Sequence, residues 1–112
     1  MLMVISPAKS LDFTAPAQAL PMTTPELKAQ IGELAKVTRK LTAADLKRLM
    51  HISDALAKLN RERFQAFDAE LEDGLQAIIA FNGDVYGGLA ARELDRPALD
   101  WAQDDLGILS GL

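Results

Sequence analysis

The run LTAADLKRLMHISDALAKLNRERFQAF, residues 41–67, decides how this chain is read. Three side-chain caps punctuate it. Thr42 can accept a hydrogen bond from the Asp45 N–H, with Leu41 and Leu46 at the two positions of a hydrophobic staple. Ser53 with Asp54 offers a second helix start and Asn60 a third, with Leu59 and Phe64 again at staple spacing. Leu46, Leu49 and Met50 supply an apolar stripe. The pattern predicts two or three short helices over residues 42–68, joined by tight turns.

Outward from this run the chain alternates strands with helices. Leu2-Met3-Val4-Ile5 is a short continuous apolar run ended by Ser6-Pro7, and reads as a buried strand leaving into a loop over Ser6–Asp12. Residues 14–23 hold Pro16 and Pro21 and read as an extended connection. Thr24-Pro25-Glu26 announces a helix to about Thr38, with Leu27, Ile31, Leu34 and Ala35 on one face. Glu70–Gly74 is acidic and turn-like. Ala77–Phe81 fits a strand covered on both faces, Asn82-Gly83-Asp84 breaks it, and Val85–Ala91 forms a helical turn. Asp95 caps a helix opening at Arg96-Pro97, with Leu99, Ala102 and Leu106 as its apolar side and Trp101 at its edge. Residues 107–112 read as a third strand. The expectation is one α/β domain over residues 1–112, with an exposed C-terminal edge strand that marks it as part of something larger.

Composition narrows the function. The 112 residues contain no cysteine and one histidine, His51, which excludes a disulfide framework and any Cys-based metal site. His51 near a helix end is expected to serve the helix end or an anionic partner rather than a metal. Asp68, Glu70, Glu72 and Asp73 lack calcium-loop spacing and read as a solvated turn. No metal and no cofactor is expected. The apolar start is too short for a signal-peptide core and no run approaches a membrane span, so a soluble cytoplasmic chain without a membrane partner is expected.

Net charge is −4, but it is split. Between Lys36 and Arg63, eight basic side chains face three acidic ones, which gives that segment +5 and leaves −9 elsewhere. Such a division points to a polyanion-facing surface, or to helices with solvated basic faces.

Several segments then resemble one family. Ile5-Ser6-Pro7-Ala8-Lys9-Ser10-Leu11-Asp12-Phe13 is similar to the opening signature of the YaaA family. Phe81-Asn82-Gly83-Asp84-Val85-Tyr86-Gly87-Gly88-Leu89 resembles its second signature, and Leu109-Ser110-Gly111-Leu112 the start of its third. Arg39-Lys40-Leu41-Thr42 and Ile52-Ser53-Asp54 also match, so the resemblance covers essentially the whole chain. Family members continue into a Tyr-Gly and an Arg-Pro segment that this sequence lacks, which makes it resemble the N-terminal portion of an incomplete domain. The resemblance implies a basic cleft and a helix-hairpin-helix element that binds DNA. It also implies a role in the hydrogen peroxide stress response, protecting DNA and protein by limiting free intracellular iron.

The implied helix-hairpin-helix segment is residues 41–67, with its hairpin at Leu56-Ala57-Lys58-Leu59-Asn60. Lys58 then stands where the motif wants glycine, and a left-handed lysine costs roughly 1 kcal/mol or more, unless Asn60 takes that position. Candidate phosphate contacts are Arg39, Lys40, Lys47, Arg48, Lys58, Arg61 and Arg63, acting on the backbone of duplex or branched DNA rather than on bases.

A rival reading is an enzyme with a small-molecule site where the Ser6–Asp12 and Asn82–Gly88 loops share a sheet edge. Its candidate residues are Ser6, Lys9, Ser10, Asp84 and Tyr86. Lys9 beside a serine resembles a Ser–Lys nucleophile pair, but no base is in evident reach, and no catalytic residue is assigned. Asp84 equally reads as the cap of the next turn, and the glycines at 83, 87 and 88 as a tight turn. An open edge at residues 107–112 also predicts a homo-oligomer paired through that strand.

Overall fold

A computed structural model describes residues 1–67, 70 and 74–110, which fall into two compact units. One unit contains residues 1–23 together with the chain from Gly74 onward, and the other residues 24–73. Asp68, Glu72 and Asp73 of the acidic turn lie outside the described residues, as do Gly111 and Leu112.

The first unit is built on a parallel pair, β1 (Met3–Ile5) beside β2 (Leu106–Ile108). Met3 faces Leu106, Val4 faces Gly107 and Ile5 faces Ile108, and the Leu109 N–H extends the ladder to the Ile5 carbonyl at 3.0 Å. The class is α/β as expected, but among the described residues two strands form rather than three. Val4 remains 54% exposed, so β1 is a strand without being a buried one. β2 is half-buried throughout and packs against the helix at Arg96–Asp105.

Ala77–Phe81 is the missing strand. Ala77–Ala80 instead makes one helical turn, with the Phe81 N–H on the Ala77 carbonyl at 2.9 Å. Ile79 and Ala80 are buried as the apolar run requires. A run this short does not distinguish a strand from a buried helical turn by periodicity. With Ile79, Ala91 and Leu99 at its centre, the unit's core also takes in Leu20, Leu75, Ile78, Leu89 and Leu94.

Asp84–Leu89 is a helix that opens at Gly83 with no side-chain cap, so Asp84 lies inside the first turn rather than capping it. Gly87 and Gly88 are helical, and the left-handed residue that ends the helix is Ala90 (φ 49°, ψ 47°). A 3-10 turn over Ala91–Glu93 follows, then a ten-residue helix, Arg96–Asp105. Asp95 caps that helix as expected, its Oδ1 accepting the Ala98 N–H at 3.0 Å. Leu99 and Ala102 are buried, Trp101 is half exposed, and Leu106 belongs to β2.

The second unit holds α1 (Lys28–Thr38), α2 (Ala43–Met50) and α3 (Asp54–Ala66). With these named, the helices of the first unit are α4 (Ala77–Ala80), α5 (Asp84–Leu89) and α6 (Arg96–Asp105). The first helical bond of α1 runs from the Ile31 N–H to the Leu27 carbonyl, so the helix opens three residues after the Thr24 signal and without a side-chain cap. A cap residue marks where a helix can begin; packing of Ile31 and Ala35 decides where it does. Thr42 does cap α2, and Asp45 returns the bond, its Oδ2 accepting the Thr42 N–H at 2.9 Å. Ser53 caps α3 through the Leu56 N–H at 3.2 Å.

Other expectations fail in this unit too: of the apolar face expected on α1, Ile31 and Ala35 are buried but Leu27 and Leu34 are exposed. Of the predicted stripe on α2 only Leu46 is buried, while Leu49 is 61% and Met50 45% exposed. Asn60 caps nothing: it sits inside an unbroken α3 and its Nδ2 donates back to the Leu56 carbonyl at 2.8 Å. Residues 56–60 are therefore helix, not hairpin. The turn between α2 and α3 lies at His51-Ile52-Ser53, and His51 supplies the left-handed residue (φ 53°, ψ 48°). Among the described residues no helix is long and apolar enough to cross a membrane.

The relocated turn has a direct test. Lys58→Gly would relax a left-handed hairpin but costs an α-helix interior about 1 kcal/mol. Urea denaturation of Lys58→Gly is expected to show that loss; a gain in stability would restore the hairpin to residues 56–60.

Candidate functional site

Two places concentrate the predicted site residues, one in each unit. In the helical unit, α2 and α3 pack on each other across the His51 turn. Their contact buries Leu46 and Ala57, a small residue whose methyl lets the two backbones approach. All seven predicted phosphate contacts are exposed. They are not equivalent. Lys47 Nζ bridges from α2 to the Asp54 Oδ1 of α3 at 2.8 Å, and Arg48 lies 3.5 Å from Asp45. Arg39 donates to the Phe67 carbonyl. Lys40, Lys58, Arg61 and Arg63 have no carboxylate partner among the described residues.

Helical spacing sorts the last three. Lys58 and Arg61 are one turn apart on one side of α3, whereas Arg63 lies about 160° round the axis from Arg61. A single duplex can meet the first two together; it cannot meet both arginines from one side. Asp45 stays ionised below the usual carboxylate range, held chiefly by the Thr42 hydroxyl and N–H and then by Arg48. It therefore reduces the positive field on α2, as Asp54 does at the start of α3.

In the first unit the two predicted loops do meet, though not through parallel strands. Leu11 and Phe81 form an isolated antiparallel bridge, flanked by the Asn82 N–H on the Ser10 carbonyl at 3.0 Å and the Asp12 N–H on the Ala80 carbonyl at 2.7 Å. Tyr86 is buried and donates its hydroxyl to the Ser6 carbonyl. Burial pushes its phenol up from the ordinary tyrosine range. Ala8 packs so closely on Gly83 that an added Cβ would stand 3.3 Å from it. Ser6 thus contributes its backbone, while Lys9, Ser10 and Asp84 are exposed at the surface.

Beside this seam lies a cavity of about 220 Å³ lined by Asp12, Phe81, Asn82, Tyr86, Arg92 and Glu93 with apolar neighbours. Of the five predicted ligand-loop residues only Tyr86 lines it. Arg92 organises the wall. Its guanidinium donates to the carbonyls of Thr14 (2.9 Å), Asp12 (3.1 Å) and Ile79 (3.2 Å), tying the loop after β1 to α4. Asp12 accepts the Thr14 N–H at 2.9 Å, and its carboxylate lies 3.7 Å from Arg92. These hydrogen bonds to Thr14, and then the nearby guanidinium, hold the Asp12 carboxyl below its ordinary range. Sequence reasoning placed Asp12 and Asn82 inside the loops without assigning them and missed Arg92 and Glu93 altogether. The left-handed Ala90 that carries the chain round to them leaves no glycine signal. No cluster of three or more metal-ligating side chains occurs among the described residues.

A family model described as "Peroxide stress protein YaaA" matches residues 1–112. A UPF0246 protein of Caulobacter vibrioides (strain NA1000 / CB15N) is 86% identical over 112 residues, covering 100% of this chain and 44% of the relative. UPF0246 proteins of Phenylobacterium zucineum (strain HLK1) and Laribacter hongkongensis (strain HLHK9) are 66% and 48% identical, with 42% and 45% of their lengths covered. The chain thus spans less than half the length of these curated relatives.

Asp12 gives the loop seam a pH dependence. A carboxyl with a lowered folded pKa adds stability that is complete above its unfolded value, near 3.9, and is lost as pH falls through the folded value. Acid titration followed by the Tyr86 ring resonances is expected to show the seam loosening only below about pH 4. Asp12→Asn should remove that dependence.

Proposed function

The chain belongs to the peroxide stress protein YaaA family, and from that membership we propose that its α2–α3 hairpin binds the sugar–phosphate backbone of DNA. One observation carries the reading: Lys58 and Arg61, on one side of α3, have no carboxylate partner among the described residues, and α3 follows a turn whose left-handed residue is His51. A hairpin between two capped helices presents backbone N–H groups at the start of the second helix, and lysine or arginine beside it adds charge-assisted contacts to phosphate. Lys47 and Arg48 join by exchanging exposed ion pairs, which are worth little, for phosphate. Arg39 and Lys40 extend the basic surface from the end of α1. Arg63 serves only a strand reaching the other side of α3, as at a branched junction. The contacts are to phosphate, so recognition is of DNA shape rather than sequence.

The wider role follows the family resemblance: protection of DNA and protein during hydrogen peroxide stress in the cytoplasm, through limitation of free iron. The open edge of β2, with Leu109 exposed beyond it, is the proposed pairing site for a second copy of the chain. Sedimentation showing a monomer across micromolar concentrations would remove that pairing.

Fluorescent duplex and branched DNA, titrated across salt, test the main proposal. Replacing Lys58 and Arg61 with alanine is expected to lower the salt slope on duplex by up to about two units, without changing sequence preference. Arg63→Ala should matter on branched DNA alone. An unchanged slope for the double variant would take α3 out of the interface.

A second reading is favoured by the cavity at the loop seam: a small-molecule site in the first unit. A fragment screen followed by 1H–15N spectra of the whole chain tests it. Hits that move the Phe81, Asn82 and Gly87 resonances support a site, and a screen that leaves all three unmoved in a folded chain removes it.

A further inference from the structure

The cavity beside the loop seam has a chemical bias that narrows its ligand. Its volume, about 220 Å³, is below the roughly 300–1,000 Å³ usual for drug-sized ligands, so it fits one small ring system. Phe81 and Tyr86, with ring centroids 5.3 Å apart and planes inclined at 41°, line it together with Ile78 and Ile79. Walls of this kind favour a flat, partly apolar molecule.

Its polar groups have unused capacity to accept hydrogen bonds. Two carboxylates, Asp12 and Glu93, stand against one guanidinium, so the lining is net negative. Both hydrogens of Arg92 Nη2 are directed at carbonyls, and Nη1 serves a third. The arginine is therefore a structural tie, poorly placed to receive an anion. Asp12 Oδ1 accepts the Thr14 N–H and the carboxylate also takes a bond from the Thr14 side chain, while Oδ2 lies 3.7 Å from Arg92, beyond hydrogen-bond reach, so Asp12 keeps part of its acceptor capacity. The Glu93 carboxylate and the side-chain amide of Asn82 make no hydrogen bond with any described residue, the Glu93 N–H being spent on the Ala90 carbonyl. The amide offers one donor and one acceptor face, and the carboxylates offer acceptors only.

We propose that this cavity binds an amino-substituted planar heterocycle of the nucleobase class, with N–H groups directed to Asp12 and Glu93 and a ring edge on Asn82. Phosphate, carboxylate and sugar-only ligands are disfavoured by the net charge and by the flat apolar walls. The proposal rests on the small-molecule reading of the seam, and it is independent of the DNA surface on α2 and α3. The base reaches the cavity either as a free molecule or as an unstacked base of a single strand.

The test is 1H–15N titration of the 112-residue chain with adenine, cytosine, inorganic phosphate and a short oligodeoxyadenylate. Adenine or cytosine is expected to shift Phe81, Asn82 and Gly87 together, with phosphate leaving them unmoved. Asp12→Asn should weaken that binding about tenfold, the loss expected for one hydrogen bond to a charged group. Asn82→Ala, an exposed side chain whose removal leaves the fold intact, should weaken it severalfold. If the free bases and the oligonucleotide shift the same resonances, the base can come from a strand; if only the free bases do, the ligand is a small molecule. Phosphate shifting these resonances while the bases do not would overturn the ligand class. Bases without effect where screened fragments bind would do the same and leave the site standing. No response to bases or fragments would remove both.

Discussion

Three residues near the start of the chain pair in parallel with three near its other end, and that pairing constrains the first unit. Parallel neighbours cannot be joined by a tight turn, so the chain between Ile5 and Leu106 must leave the strand and return by a crossover. The return is made by α4, α5, the 3-10 turn and α6, and Ile79 of α4, Ala91 of the turn and Leu99 of α6 meet in its core. The start of the chain is tied to the return path a second time, away from the sheet. The Leu11–Phe81 bridge, the Tyr86 hydroxyl on the Ser6 carbonyl and the Arg92 guanidinium on the Asp12 and Thr14 carbonyls all join residues 6–14 to residues 79–92. Most of these are hydrogen bonds to backbone carbonyls, so they fix a loop that has little apolar surface of its own to bury.

The helical unit follows a different logic. Its helices are short, and each buries only one or two residues, so the ends carry much of the definition. Thr42 with Asp45 and Ser53 with Leu56 satisfy N–H groups that helices of this length would otherwise leave to water. The turn between those caps is held by the left-handed His51, and Ala57 allows the helices to sit close. Basic side chains fall on the faces that remain. Their spread around α3 separates Arg63 from Lys58 and Arg61, a division that a charge count over residues 36–63 does not reveal.

The two candidate sites differ in how they were legible. The basic surface is visible in composition because charge is additive along a sequence. Its hairpin was misplaced because Asn60 has the residue type of a cap and the position of a helix interior. In α3 the amide bonds back to Leu56, an alternative open to asparagine wherever the helix is otherwise favourable. The cavity was legible only as two glycine-containing or strand-ending loops. Its charged wall comes from Arg92 and Glu93, which share no motif with Asp12 and are brought to it by a left-handed alanine.

Local chemistry in the sequence by itself determined the caps at Thr42, Ser53 and Asp95, the strand at residues 3–5, the helical character of residues 28–66 and the uneven charge. Each depends on neighbours within about four positions, where side chain and backbone meet whatever the rest of the chain does. Tertiary structure alone decided that Ala77–Ala80 coils instead of extending, that Leu49 and Met50 stay in water, and that Arg92 closes the loop seam. Those outcomes depend on which partner is present across space. At residues 77–80 the Ile79 and Ala80 N–H groups turn back on the Gln76 carbonyl, while the Ile79 and Ala80 carbonyls take up the Arg92 guanidinium and the Asp12 N–H from outside the run.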